Sequence, residues 1–308
     1  MFRLRLVPSN TNINFIKYSK YFIVTAITLI VICISFISFK GLNYGIDFKG
    51  GYIFEVTMPK EPDIAQMRAN LNDLNLGAVS IQQFGGVNDL LIKLEKSDEG
   101  AGQAEAIEKI KNSLGNKVVY KRIETVGPKV GNELVMNAIK AVGFALLAML
   151  GYIIIRFEWQ FGLCAITALF HDCILIFGLF SIFPWEFSET SITAVLLTAS
   201  YSINDIVVIF DRIRENLKRY RALSVPDIIN KSLNETLSRT VLTATTTLLA
   251  MVALYLFGGK VIASLALPMM VGIVIGTITS TCIAAPLLTL LNLKTPQLKK
   301  EVNELPQV

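Results

Sequence analysis

The chain has 308 residues, 53% of them hydrophobic and only 17% charged, with a net charge of +5 and a mean hydropathy of +0.54. Soluble domains average about 25% charged residues, so this composition excludes disorder and fibrous repeats and argues against an ordinary water-soluble enzyme. The apolar residues gather in blocks of roughly 17 to 25, the length that crosses a hydrocarbon core about 30 Å thick, which predicts a polytopic α-helical membrane protein.

The tail 1–20 carries Arg3, Arg5, Lys17 and Lys20, and Tyr21–Phe39 behind it is the first predicted span. That block is longer than the apolar part of a signal peptide and no small-x-small site follows it, so it reads as a retained helix. Residues 40–133 are polar and hold a predicted small domain. Within it, Tyr52–Met58 alternates as a strand does, and Asp63–Leu74 places Ile64, Met67, Leu71 and Leu74 at helical spacing. Ala78–Phe84 and Leu90–Leu94 read as two strands joined across Gly85 and Gly86, Gln103–Leu114 as an amphipathic helix, and Val118–Ile123 as a last strand. The order β-α-β-β-α-β is that of a ferredoxin-like, or split βαβ, α+β domain. It has no histidine, cysteine or carboxylate cluster. Binding or mechanical coupling is therefore expected there rather than catalysis, with a passive cap over the membrane part as the alternative.

Five more spans are predicted near Leu134–Ile155, Gly162–Phe183, Ser191–Ile209, Thr240–Phe257 and Leu265–Leu290, making a bundle over 134–290 before a tail at 291–308. Basic residues mark its sides. Arg156, Arg212, Arg214, Lys218, Arg219, Arg221, Lys231, Arg239, Lys294, Lys299 and Lys300 join the amino-terminal four on one side, whereas the short loops opposite offer Lys260 alone. Both termini are thus expected to be cytoplasmic and the domain at 40–133 external. This balance needs no nucleic acid, since no stretch interleaves basic residues with stacking aromatics. Cys33, Cys164, Cys173 and Cys282 lie in apolar blocks without any CxxC pair, which points to neither disulfides nor a zinc site. No cofactor is expected.

Ionisable groups within spans are functional candidates because a hydrocarbon core penalises charge. Asp205 follows Thr198, Tyr201 and Ser202 at i, i+3, i+4 and i+7, a polar stripe that should face other helices. Two readings stand for it: a carboxyl that takes up and releases a proton, or one that joins helices by hydrogen bonds. Arg239 precedes Thr240, Thr243 and Thr247; it is either a partner of Asp205 or an anchor at the membrane edge. His171 and Asp172, adjacent on one helix, are expected to point about 100° apart and not to form a dyad; packing or a proton relay is left for the histidine. Lys140 can snorkel to the interface. Gly272, Gly276 and Ser280 recur every four residues, a spacing that permits close helix contact within the bundle or with a partner.

Three segments carry a family resemblance. They are Gly45-Ile46-Asp47-Phe48-Lys49-Gly50-Gly51 after the first span, Val126-Gly127-Pro128-Lys129-Val130-Gly131 before the second, and the fifteen residues from Tyr201 through Asn204-Asp205 to Glu215. With Ser238-Arg239-Thr240 and the six-span plan, they resemble the SecF family of membrane subunits that assist bacterial protein export. The resemblance covers nearly the whole chain. It implies a subunit of the bacterial inner membrane that pairs with SecD in a transporter of the resistance-nodulation-division type and associates with the SecYEG channel and YajC. Such a complex uses the proton-motive force to draw preproteins across. Asp205, Arg239 and the neighbouring Asn204 would then belong to the proton path, and Gly45, Asp47, Gly50 and Gly51 would form either a joint or a tight turn between span and domain. H+ would be the coupling ion, with preprotein and membrane lipids as the other partners.

Two rivals make different demands. An exporter of small molecules or lipids on the same plan requires a pocket of that size. An intramembrane aspartyl protease built on Asp172 and Asp205 would require GxGD and YD motifs, whereas the contexts here are Phe170-His171-Asp172 and Ile203-Asn204-Asp205.

Overall fold

Helix α1 spans Phe15–Lys40, and its 26 residues reach about 39 Å at 1.5 Å each. It starts ahead of the predicted span because its first two turns mix Lys17, Ser19 and Lys20 with apolar residues, below what hydropathy registers, and are capped. The Asn14 side chain accepts from the Lys17 amide at 3.0 Å, and the Phe15 amide donates to Asn230 Oδ1 at 2.8 Å. The structure, a computed structural model, describes residues 8, 11–74, 76–83, 86–95, 103–115, 117–291 and 293. The strand end expected at Phe84, the loop residue Gly85, and Arg3, Arg5, Lys294, Lys299 and Lys300 lie outside them.

A four-residue turn, α2 (Ile46–Lys49), leads into the small domain: β1 (Gly51–Thr57), α3 (Ile64–Asn72), β2 (Val79–Gln83), β3 (Asp89–Glu95), α4 (Gln103–Leu114) and β4 (Val119–Val126). The sheet is antiparallel throughout, in the order β2-β3-β1-β4. This is the predicted ferredoxin-like order. Tyr52, Phe54 and Val56 on β1 and Leu90, Ile92 and Leu94 on β3 fill one face, as the two-residue strand period requires. Leu71 of α3 and Ile110 of α4 close over them. Asp63 caps α3, accepting from the Ala65 and Gln66 amides at 2.9 and 3.1 Å.

The bundle continues with α5 (Pro128–Arg156), α6 (Trp159–Ile182), α7 (Glu189–Arg219), α8 (Val225–Phe257) and α9 (Gly259–Thr279). A π-helical turn (Ser280–Ala284), α10 (Ala285–Leu287) and a 3₁₀ turn (Leu288–Leu291) complete it. Six helical segments, α1, α5, α6, α7, α8 and the run through α9 to Leu291, are long and apolar enough to cross a membrane. Helix α6 sits at the centre, against α1, α5, α7 and α9. Ile27, Val31, Phe144, Leu147, Leu249 and Phe257 lie bare on the outside, where only lipid or another apolar surface suits them.

Helices α7 and α8 run well beyond the predicted spans. Hydropathy registers only their apolar middles; their ends are held together by charge and amides. Arg212 bridges Glu235 and Glu215 at 2.6 Å each, and Asn216 Nδ2 donates to Ser232 Oγ at 2.9 Å and to Glu235 Oε2 at 2.8 Å. Arg156 pairs with Asp211 at 3.1 Å at the same end. The small domain stands at the opposite end, where Lys93 reaches Glu186 in the α6–α7 connection at 3.4 Å.

Candidate functional site

Helices α7 and α9 approach each other over the residues with the least side chain. A Cβ on Gly272 would come within 2.5 Å of the Thr198 side chain, and one on Gly276 within 3.1 Å of Ser202 Cβ. The four-residue glycine spacing thus seats α9 on the polar stripe of α7 inside this chain. Thr198, Ser202 and Asp205 are almost wholly enclosed. Ser280 belongs to the π turn, where its hydroxyl donates to the Thr277 carbonyl at 3.1 Å. Pro268 and that π turn interrupt the last span at two points.

Asp205 stands near the midpoint of the 31-residue α7, 3% exposed. Thr243 of α8 faces its carboxyl, and the Arg239 charge acts on it from one turn earlier on the same helix. Of the two readings of Arg239, an ion pair with Asp205 is not formed among the described residues, and Asp205 Oδ2 is buried with no hydrogen-bond partner among them. Arg239 lies on the exposed surface of α8, whereas Asp205 is buried on α7. Asn204, one residue and about 100° round the helix, is exposed as well and does not join the carboxyl. Thr198 Oγ1, Tyr201 Oη and Thr240 Oγ1 are further buried atoms without partners. The interior of α7, α8 and α9 is therefore polar, with several of its side-chain oxygens unsatisfied among the described residues.

His171 and Asp172 require a correction, for they do touch. His171 Nδ1 lies 3.1 Å from Asp172 Oδ1. The 100° between neighbouring Cα–Cβ bonds is bridged because the long imidazole swings about χ1 and χ2 towards the short carboxyl. Asp172 Oδ2 also accepts from Ser202 Oγ at 2.6 Å, and His171 Nδ1 lies 3.3 Å from Thr279 Oγ1. Nothing in the sequence singled out Thr279, whereas Thr243 was on the threonine face that follows Arg239; both reach the site only when the helices pack.

The glycine-rich turn has its own geometry. Gly50 takes φ +86°, a left-handed conformation natural only to glycine, and a Cβ on Gly51 would collide with the Leu94 carbonyl oxygen. Gly45 admits the Glu186 carboxyl, and Gly131 of α5 lies against the Phe48 carbonyl. Asp47 reaches further still: its Oδ2 accepts from the Glu189 amide at 3.4 Å, in the first turn of α7. Tyr44, Phe48, Phe177, Phe180 and Phe187 pack edge and face around this junction, and the Gly45 amide donates to the Phe187 carbonyl at 2.8 Å. The motif therefore joins α1, the sheet domain and the start of the helix that bears Asp205. Beside it an apolar cavity of about 540 Å³ opens between α5 and α6, lined by Phe48, Leu146 and Phe177 among others. Among the described residues no cluster of three or more His, Cys, Asp or Glu side chains is placed to hold a metal ion.

The signature described as "Protein export membrane protein SecD/SecF, C-terminal" matches residues 106–294, and the "SecD/SecF GG Motif" matches residues 35–58. The chain is 43% identical over 294 residues to "Protein translocase subunit SecF" of Rickettsia prowazekii, covering 94% of both chains. This chain belongs to the SecD/SecF protein-export family. The SecF of Rickettsia felis is likewise 43% identical, over 94% of this chain and 95% of that one. Among solved structures, SecDF from Thermus thermophilus, described as a translocon-associated membrane protein, superposes with a TM-score of 0.77 at 35% identity. A SecDF in a super-membrane-facing form gives 0.72 at 34%. These matches cover 93% and 94% of this chain but only 39% and 40% of the SecDF chains. The chain thus spans about two fifths of SecDF and nearly all of the SecF relatives.

Proposed function

We propose that this chain is the SecF-type subunit of the Sec export machinery, which, paired with SecD, uses the proton-motive force to promote translocation and release of preproteins across the bacterial inner membrane. The observation that carries the proton step is the enclosed carboxyl of Asp205 at mid-helix, one oxygen of which has no hydrogen-bond partner among the described residues, in a chain of this family. In this reading both termini are cytoplasmic, by the charge of the short loops, and the sheet domain is external. The SecYEG channel, with YajC, is the assembly it serves.

The mechanism follows from what α7 touches. A proton arriving from outside neutralises Asp205 and weakens the pull of Arg239 and the orientation of Thr243. One charge crossing about 100 mV releases roughly 2.3 kcal/mol, which biases a two-state element well over tenfold. The start of α7 is held to Asp47, and the preceding Glu186 to Lys93 of β3. A shift of α7 is therefore felt at the sheet domain through Asp47 in the turn before β1 and Glu186 in the α6–α7 connection. Repeated cycles, each worth only that much, would draw a substrate in steps.

Asn204 and Arg239 fit the partner rather than the interior of this chain. A polar and a charged side chain bare near the middle of membrane helices are costly against lipid, so a second subunit, SecD in this reading, covers them. The apolar cavity supports the rival exporter reading only by its size. It lies off the polar interior and contacts none of Asp205, Ser202 or Asp172, so nothing links it to the proton step.

The test is export of a pulse-labelled secretory precursor in cells whose only copy carries Asp205→Asn or Asp205→Ala, at expression equal to wild type. Precursor should accumulate with both variants although each inserts and binds SecD. Normal export with Asp205→Asn would overturn the proton-driven reading.

A further inference from the structure

Helix α6 carries the only histidine of the chain, and the mechanism above makes no use of it. Asp172 beside it is fully buried and held from two sides, by Ser202 Oγ at 2.6 Å and His171 Nδ1 at 3.1 Å. His171 Nε2 is buried with no partner among the described residues, as is Asp205 Oδ2. Ser202 and Asp205 are three residues apart on α7 and share its enclosed face. Helices α6, α7 and α9 thus enclose two carboxyls and one imidazole.

Among the described residues no lysine or arginine forms an ion pair with either carboxyl. Around them, α1 from 22 to 39 brings only Cys33 as a titratable group, and α9 from 261 to 279 brings none, its Thr279 contributing a hydroxyl. Within its apolar stretch α5 offers Lys140 and Tyr152, both on the outside. The π turn contributes Cys282, α6 itself Cys164 and Cys173, and α7 Tyr201; Arg239 and Tyr255 are the groups of α8 from 236 to 257, and Arg239 acts on Asp205. Two carboxylates left bare in such an interior are far more costly than the same groups with a proton bound.

We propose that His171, Asp172 and Ser202 form a second proton-holding station, coupled to Asp205 along the shared face of α7. This rests on the proton-handling reading of Asp205 and extends it to a group outside that step. With Asp172 ionised, Nδ1–H of the imidazole donates to Oδ1 and the Ser202 hydroxyl to Oδ2. A proton bound at Asp172 removes the need for the serine to donate there, and the hydroxyl can turn along α7 towards Asp205, which then gains a donor in its charged form. A proton bound at Asp205 has the converse effect, so occupancy of one carboxyl alters the other. Thr279 holds the imidazole from α9, on the turn ahead of the π segment, so the charge of the station also acts where α9 is least regular.

Coupling of this kind has a spectroscopic signature, because interacting sites titrate with curves that belong to the pair. The full chain in complex with SecD, in lipid and with isotope-labelled aspartate, would be followed by infrared difference spectroscopy at the protonated-carboxyl stretch across a pH series. The wild type should show two buried carboxyl bands, one of them lost in Asp172→Asn. The Asp205 band should then change from a stretched titration to a single-site curve. Ser202→Ala keeps both carboxyls and should uncouple them in the same way, which preserves the test if Asp172→Asn misfolds; His171→Gln should shift the frequency of the Asp172 band. An Asp205 titration unchanged in Asp172→Asn, or in Ser202→Ala where the former fails to fold, would overturn the station. Loss of the proton-driven reading shows separately, as normal precursor export with Asp205→Asn whatever the spectra report.

Discussion

Asp205 and Asp172 are both aspartates enclosed in membrane helices, yet the fold treats them differently. Asp172 is satisfied by a serine and a histidine, whereas one oxygen of Asp205 has nothing. That contrast gives the two carboxyls different surroundings, and neither sequence context discloses it. Asp89, in the sheet domain, shows the opposite extreme. A hydrogen bond from Thr57 Oγ1 at 2.5 Å, then Lys121 at 2.9 Å, holds its carboxyl below the usual carboxylate range. A folded-state value lowered in this way stabilises above the unfolded value, about pH 4, and the contribution is lost as the pH falls through the lowered one. Protection factors at β1 and β3, that is, exchange corrected for its intrinsic rate at each pH, should therefore fall as the pH drops below about 4 in the wild type. Asp89→Asn should start less protected and show a flatter acid response; an identical acid response in both would remove Asp89 from the account.

At the scale of elements, the contact between α9 and α7 depends on having no side chain at Gly272 and Gly276. Gly276→Leu should force α9 off the Ser202 turn, costing about 1–3 kcal/mol as overpacked cores do, read as a lower midpoint in thermal unfolding of the detergent-solubilised chain. Gly143→Ala, where a Cβ meets nothing within 4 Å, should be neutral and serves as the control. The start of α7 supplies a second case. Removing the Asp47 carboxylate leaves the Glu189 amide without that acceptor, a loss of roughly 0.5–2 kcal/mol by comparison with helix caps. Asp47→Ala should insert normally and export precursor more slowly than wild type; unchanged export would mean that this contact transmits nothing.

For the whole molecule, the ferredoxin-like domain and the bundle are joined at one end through Gly45, Asp47, Lys93 and Glu186. Lys93→Glu places two like charges at a contact now 3.4 Å long, which should weaken export. Lys93→Glu with Glu186→Lys should restore part of it, since the coupling energy of a pair is what a double-mutant cycle isolates. Equal losses in the single and double variants would show that the contact is incidental. The opposite end is closed by Arg156, Asp211, Arg212, Glu215 and Glu235, so the polar interior around Asp205 lies between a charged belt and the junction with the sheet domain.

Hydropathy and period sufficed for the six long helices and for the order of strands in the small domain, because burial in lipid or in a sheet core imposes those patterns residue by residue. The helix ends were legible only in part: α8 begins in a polar stretch at Ser224, whose hydroxyl accepts from the Asp227 amide, and hydropathy is silent there. The stripe from Thr198 to Asp205 could be read from spacing, as could the small residues that cover it. What spacing could not settle is partnership. Whether Arg239 touches Asp205, whether Asn204 turns in or out, whether His171 reaches Asp172, and where Asp47 ends all depend on the rotation of one helix against another. That rotation is set by packing between residues far apart in the chain. The sequence by itself determined a membrane bundle with an appended ferredoxin-like domain and a short list of polar candidates, and only the tertiary structure decided which of them meet.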